Sequence, residues 1–447
     1  TQHGIDRGDT VVTEQELRDI HGAGYYAAIS AGVQSVMASF NSWNGKRVHG
    51  DHYLLTEVLK QQMGFDGFVI SDWNAHKFVD GCDLEQCAAA FNAGVDVMMV
   101  PEHFEAFYHN TLQQVKVGVI PLSRLDDAVR RFLRAKIRWG VFNRGKPSGR
   151  PESANPQWFN ATEHRLLARE AVRKSLVLLK NNNNILPLSP KGRVLIAGDG
   201  ADNIAKQAGG WSVSWQGTDN TNADFPNATS IYAGLRQQIE AAGGRVELHE
   251  DGQYTNKPDV AIVIIGEEPY AEWFGDIQQL EYQHGNKRDL ALLNRLKQQN
   301  IPVVTVFLSG RPLWVNKELN ASDAFVAAWL PGSEGQGIAD VLLTDKDGAI
   351  QHDFRGKLSF SWPKFDDQYL LNVGQAQYDP LFAYGYGLTY ADQTELAPLS
   401  EATRAQPVQK AAEQIPLFVR NLADGMMWAL SDSTKLLDRF NTPSAVS

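Results

Sequence analysis

Between residues 14 and 139, short apolar runs alternate with longer stretches whose apolar residues recur every three or four positions. That rhythm is the signature of βα units laid on a parallel sheet. The runs Ser35–Phe40, Gly67–Ser71 and Val95–Val100 predict strands, and the stretches 14–32, 50–63, 84–93 and 104–117 predict helices before, between and after them. After Pro121, Leu125, Val129, Phe132, Leu133 and Ile137 share one helical face; Ser123 and Asp126 stand at capping-box spacing, and Gly140 marks the end. A closed parallel barrel needs eight strands. Three strands imply either a small open α/β layer or the last part of a barrel, and the abrupt polar start at Thr1 favours the latter.

Gly and Pro then punctuate residues 143–161 with no apolar period, which predicts a linker. A helix is expected over 163–181. A second alternating series follows, with strands at 193–197, 245–249, 259–265, 302–308 and 324–329 and helices near 230–242, 287–299 and 334–343. Ile231, Leu235 and Ile239 line one face of the first of these helices, which stops at Gly243-Gly244. The expected organisation is therefore α/β throughout: the C-terminal portion of a (β/α)8 barrel at 1–142, a linker at 143–161, and a parallel-sheet α/β sandwich at 162–390. Residues 391–447 form a C-terminal extension, amphipathic over Ile415–Phe440, to which the sequence assigns no role.

Composition narrows the function classes. The 447 residues carry 42 basic and 52 acidic side chains, a formal charge of −10, so no basic footprint exists to neutralise nucleic acid. No apolar run approaches the roughly 18 residues that span a bilayer, and membrane insertion is not expected. The sequence leaves the oligomeric state open. Cys82 and Cys87 are too few for a disulfide framework or a tetrahedral metal site. On a helix their i, i+5 spacing would hold the Cα atoms too far apart to bridge, so buried thiols are expected.

Candidate chemistry lies in carboxylates beside aromatic residues. Asp72 directly follows the strand Gly67–Ser71 and precedes Trp73; carboxyl ends of parallel strands form the active face of such folds, although an Asp there also suits a helix cap. Glu267, Glu268 and Glu272 follow the strand 259–265, interleaved with Pro269, Tyr270 and Trp273. A carboxyl desolvated among aromatics can serve as a general acid, and a solvated acidic loop is the plainer alternative. Trp211 and Trp215 sit in the Gly-rich segment Gly209–Gly217, suited to stacking on pyranose faces or to ordinary packing. Two carboxyls about 5 to 5.5 Å apart would retain anomeric configuration, and a gap of about 6.5 to 9.5 Å would invert it. Other signals fail: Gly198-Asp199-Gly200 lacks the third glycine of a dinucleotide cradle, Ser309-Gly310-Arg311 is no nucleophile elbow, and the histidines show no metal-ligand spacing, so no cofactor is implied.

Jointly, several segments resemble glycoside hydrolase family 3, in its exo-β-glucanase and β-glucosidase branch. They are Gly64–Trp73, Leu178–Asn181, the Gly-Gly-Trp…Trp-Gln-Gly segment, Gly266–Glu272 and Phe382–Leu388. The resemblance spans nearly all of residues 1–390. It implies a retaining, exo-acting hydrolase that releases glucose from β-glucans or β-glucosides, with Asp72 as nucleophile and Glu272 as acid/base. Trp73 and Trp215 would clamp the leaving sugar, with Trp211, Tyr270 and Phe40 beside the substrate; Phe40 stands where the family carries a Tyr. It further implies a secreted or periplasmic location. The family's Asp, Arg and Lys-His sugar-holding positions belong to earlier barrel strands and have no counterpart in this chain. Open alternatives are a remnant that only binds carbohydrate, and a relative acting on β-xylosides or N-acetylhexosaminides.

Overall fold

The computed structural model describes residues 4–405 apart from Glu152 and Ala154. Near the N-terminus, β1 (Asp9–Thr10) runs parallel to the strand that opens a short hairpin, and β2 (Ser35–Met37) precedes that hairpin, formed by β3 (Ser42–Trp43) and β4 (Lys46–Arg47). β2 pairs in parallel with β5 (Phe68–Ile70), placing Val36 beside Val69. The third expected strand, 95–100, shrinks to one parallel bridge between Ile70 and Val97. Main-chain bonds remain from the Asp96 and Val97 N–H groups to the Val69 carbonyl and from the Ser71 N–H to the Val97 carbonyl, and side chains add to them. The buried Asp96 carboxylate accepts the Val69 N–H at 2.7 Å and pairs with Lys60 at 2.8 Å and with Arg124, while the Ser71 hydroxyl accepts the Met99 N–H at 2.7 Å.

The expected helix 14–32 is broken into Glu14–Glu16, a π turn at Leu17–His21 and Ala23–Ser30; 50–63 forms a π-type helix over Tyr53–Gln62, and Phe104–Lys116 matches its expectation closely. Leu122–Arg138 forms the longest helix among the described residues, but the Ser123/Asp126 capping box is absent because Pro121 takes the cap position and Ser123 lies inside the first turn. From this helix Arg131 donates to the Phe65 and Gly67 carbonyls at 2.8 and 3.0 Å, fastening it to the segment that enters β5. The cysteine expectation is overturned: Cys82 and Cys87 form a disulfide with Cα atoms 4.6 Å apart. The helical premise fails, since this stretch is a turn closed by Cys82 N–H to Val79 and Asp83 N–H to Gln86, and the helix starts only at Ala88.

Residues 141–158 carry three short 3-10 turns. The next helix is Thr162–Ser175, not 163–181. Its expected last turns are instead β6 (Val177–Asn181), all five residues buried. The remaining strands are β7 (Arg193–Ala197), β8 (Arg245–Leu248), β9 (Val260–Gly266), β10 (Val303–Leu308) and β11 (Ala324–Trp329). They order as β6-β11-β10-β9-β7-β8, parallel except for β6, which runs antiparallel to β11. Burial on both faces explains the near-continuous apolar strands. Val260, Ile262 and Ile264 of β9 join one core with Ile231, Leu235 and Ile239, and Ala261, Val263 and Ile265 join the other with Leu292, Leu293 and Leu296.

The described start of the extension runs along this sandwich, with Leu396 bonded to Asn182 and Leu399 to Asn320. The amphipathic stretch Ile415–Phe440 lies outside the described residues. Among the described residues no helix is long and apolar enough to cross a membrane.

Candidate active site

Asp72 is delivered by β5. Ser71 N–H bonds the Val97 carbonyl, so the chain leaves the sheet at residue 72. The Asp72 carboxylate accepts the Trp73 N–H at 2.6 Å, and Asn74 at φ 53° turns the backbone so that Ala75 N–H closes onto the Asp72 carbonyl. Trp73 is left 56% exposed, an open aromatic surface beside the carboxylate.

The Asp72 N–H is itself held by His49, whose Nε2 accepts it at 2.9 Å. Burial pulls the His49 imidazole down to about 4, against the pull of the Asp72 charge, so the ring is neutral at ordinary pH. A neutral ring that accepts at Nε2 carries its proton on Nδ1, and the ring also makes a hydrogen bond with the Ser39 backbone. His49 escaped the sequence reading because a histidine between two helical stretches carries no local mark of its partner.

Glu272 comes from the loop that follows β9. It opens a 3-10 turn, Glu272–Gly275, at φ 53°, a left-handed conformation that a non-glycine residue adopts only when its surroundings impose it. The neighbouring tryptophan loop supplies part of that surrounding. Gln216 Oε1 accepts the Ala271 N–H at 2.7 Å, and Gly210 lies so close to the Tyr270 carbonyl that a Cβ would sit 2.0 Å from it. Only glycine permits that approach. Trp215 thereby reaches Glu272, its indole N–H 3.3 Å from Oε1, and packs on Trp273, Phe274 and Trp211 at centroid distances of 5.1, 5.9 and 6.1 Å. Trp211 is 68% exposed, at φ 87°.

Arg7 ties the two halves together. Its guanidinium donates to Glu272 Oε2 at 2.7 Å and lies 3.8 Å from the Trp273 ring centroid and 4.3 Å from that of Phe40. Phe40, buried, is also in edge contact with His49. A continuous set of contacts thus leads from Asp72 through His49, Phe40 and Arg7 to Glu272. Asp6 N–H adds a second tie, to the Asp276 carboxylate at 3.1 Å. Of the expected residues, Asp72, Trp73 and Phe40 gather on the barrel side, and Glu272, Trp215 and Trp211 on the sandwich side.

Tyr270 stands apart from that group. Its hydroxyl donates to Glu267 at 3.3 Å, its ring lies under Arg311 at 4.5 Å, and burial pushes its phenol up to about 12. With Glu267, Phe274, Gln278 and His284 it borders a cavity of about 770 Å³ on the sandwich. Glu268 leaves the site for the buried Lys206, which also pairs with Asp199 at 2.8 Å. Gly198-Asp199-Gly200 is therefore committed to internal ion pairing.

A carboxylate at a parallel strand end, another on an aromatic-walled loop of a second α/β domain, and exposed tryptophans nearby are the groups that glycoside chemistry employs. The chain belongs to glycosyl hydrolase family 3: residues 1–135 match its N-terminal domain and 176–390 its C-terminal domain. A crystal structure of an exo-1,3/1,4-β-glucanase from a Pseudoalteromonas species superposes with a TM-score of 0.89 at 74% identity, covering 91% of this chain and 65% of that one. The lysosomal β-glucosidase of Dictyostelium discoideum is 32% identical over 423 residues, 87% of this chain and 50% of that protein. The periplasmic β-glucosidase of Salmonella typhimurium is 28% identical over 460 residues, 89% of this chain and 57% of that protein. The chain spans about half the length of these curated relatives.

Proposed function

We propose that the protein is a retaining, exo-acting β-glucoside hydrolase that releases glucose from β-linked glucans or glucosides. Asp72 attacks the anomeric carbon and forms a glycosyl ester, while Glu272 gives its proton to the departing oxygen as that C–O bond breaks. Water then enters, Glu272 takes its proton, and the ester opens to free glucose and the Asp72 carboxylate. Trp73 and Trp215 stack on the leaving sugar, and His49 and Phe40 fix the nucleophile's surroundings.

The observation that carries this reading is the Arg7 junction, which holds Glu272 of one domain against the Phe40–His49 support of Asp72 in the other. The β-glucan and β-glucoside names of the relatives favour glucose-based substrates, and the exo-1,3/1,4-β-glucanase favours mixed linkages. The disulfide and the periplasmic relative favour an oxidising compartment, secreted or periplasmic.

The test is stereochemical. Protein expressed from its complete reading frame is given an aryl β-glucoside and the first-formed glucose is followed by NMR. β-Glucose is expected. α-Glucose as first product would make the enzyme inverting, and binding without hydrolysis would reduce the protein to a carbohydrate-binding one.

A further inference from the structure

The loop that carries Glu272 is gripped from outside at both ends by one side chain. Arg311, in the turn after β10, donates through Nε and Nη2 to Glu267 Oε1 at 3.0 and 2.7 Å, at the loop's beginning. Through Nη1 it donates to the Gly275 carbonyl, at the end of the turn that Glu272 opens. Between those points its guanidinium covers the Tyr270 ring, 4.5 Å from the centroid. Ser309 completes the grip. Its hydroxyl donates to Glu267 Oε2 at 2.7 Å and accepts the Arg311 N–H at 3.1 Å. The arginine and glutamate side chains are only 25% and 14% exposed, so the pair is sheltered from solvent screening.

Such a double anchor has a mechanical consequence. Glu272 sits in a left-handed conformation that its own backbone does not favour, so contacts elsewhere must hold it. Lysine could not replace the arginine, because only a planar fork can serve a carboxylate and a carbonyl in two directions at once. We propose that Arg311, with Glu267 and Ser309, is a positioning residue for the acid/base carboxyl: it fixes where Glu272 stands relative to the leaving oxygen without touching substrate itself. This rests on Glu272 being the acid/base, as inferred above.

The test separates proton donation from everything else by changing the leaving group. In protein from the complete reading frame, Arg311→Gln is assayed on a glucose disaccharide, whose leaving oxygen needs a proton, and on a dinitrophenyl β-glucoside, whose leaving group does not. The expected result is a loss of roughly tenfold to a hundredfold in kcat/KM on the disaccharide, with less than about threefold on the dinitrophenyl substrate. Equal losses on both substrates, or no loss on either, would overturn the proposal. Glu272→Gln is the control. If it shows no leaving-group dependence, the acid/base assignment falls and takes the Arg311 role with it; if it shows the dependence and Arg311→Gln does not, only the Arg311 role falls. Should Arg311→Gln fail to fold, Ser309→Ala carries the test, with the same selectivity expected at about threefold on the disaccharide and its absence equally decisive.

Discussion

The two candidate catalytic loops are held by opposite means. Asp72 stands two residues beyond β5, where strand pairing, the Val97 contact and the His49 bond to its N–H leave the backbone few alternatives. Glu272 stands six residues past the end of β9, in an unfavourable backbone conformation, and is placed by Arg7, Trp215, Gln216 and Arg311 from elsewhere in the chain. The position of the proposed nucleophile, Asp72, is written into a sheet register, and that of the proposed acid/base, Glu272, into tertiary contacts. Both groups must meet their atoms in a fixed geometry, so a carboxylate whose backbone is not held by a sheet depends on side-chain anchors for the same precision.

The comparison can be broken from either side. Short of removing Asp72 itself, replacing Glu272 by Gln is expected to have the largest effect, a loss on the order of 10² to 10⁴ in kcat/KM for substrates with poor leaving groups, read by steady-state kinetics. Support for the nucleophile comes next. His49→Leu leaves the Asp72 N–H without its acceptor and is expected to lower kcat/KM about tenfold and stability by about 1–3 kcal/mol, whereas His49→Gln, which keeps an acceptor, stays near wild type in activity.

The same histidine sets a pH dependence. Its folded value, about 4, lies below the usual 6.5, so the unfolded chain binds the extra proton first. Its contribution is fully present above pH 6.5 and is lost as pH falls from 6.5 towards 4; melting temperature should drop across that window, and less so in His49→Gln. The smallest effect belongs to the sandwich. Burial alone would raise Glu281, but hydrogen bonds from His284, Lys317 and Lys287 outweigh it and hold the carboxyl at about 2. That stability is present above about pH 4.5 and is lost as pH falls towards 2. Allowing for solvent screening it amounts to roughly 1–2 kcal/mol, which Glu281→Gln should abolish in a pH series of thermal melts.

How legible each loop was in the sequence follows the same division. The apolar run Gly67–Ser71 puts Asp72 at a strand end, where a helix cap also fits, and the family motif supplies the expected role. Glu272 was legible only through a motif, since neither its φ nor its partners leave a periodic trace. Arg7 lies 265 residues away from it and carried no signal at all. Two misreadings have local causes. No Gly or Pro separates Ser175 from Val177, so the strand β6 read as the end of the preceding helix. Asp96, turned inward onto Val69 and Lys60, dissolved most of a run that looked like a strand. Helical spacing would keep Cys82 and Cys87 apart, and the turn at 79–87 does not have that spacing.

Covalent bonding of Asp72 to the sugar during turnover is the step on which the proposed function turns. It is tested most directly by trapping the glycosyl-enzyme with a 2-deoxy-2-fluoro-β-glucoside bearing a good leaving group and locating the added mass by peptide mass spectrometry. One label is expected, on the peptide containing Asp72, with no labelling in Asp72→Asn and turnover of that variant reduced on the order of 10⁴-fold. A label on another carboxylate, or an Asp72→Asn variant that still turns over at the wild-type rate, would contradict it.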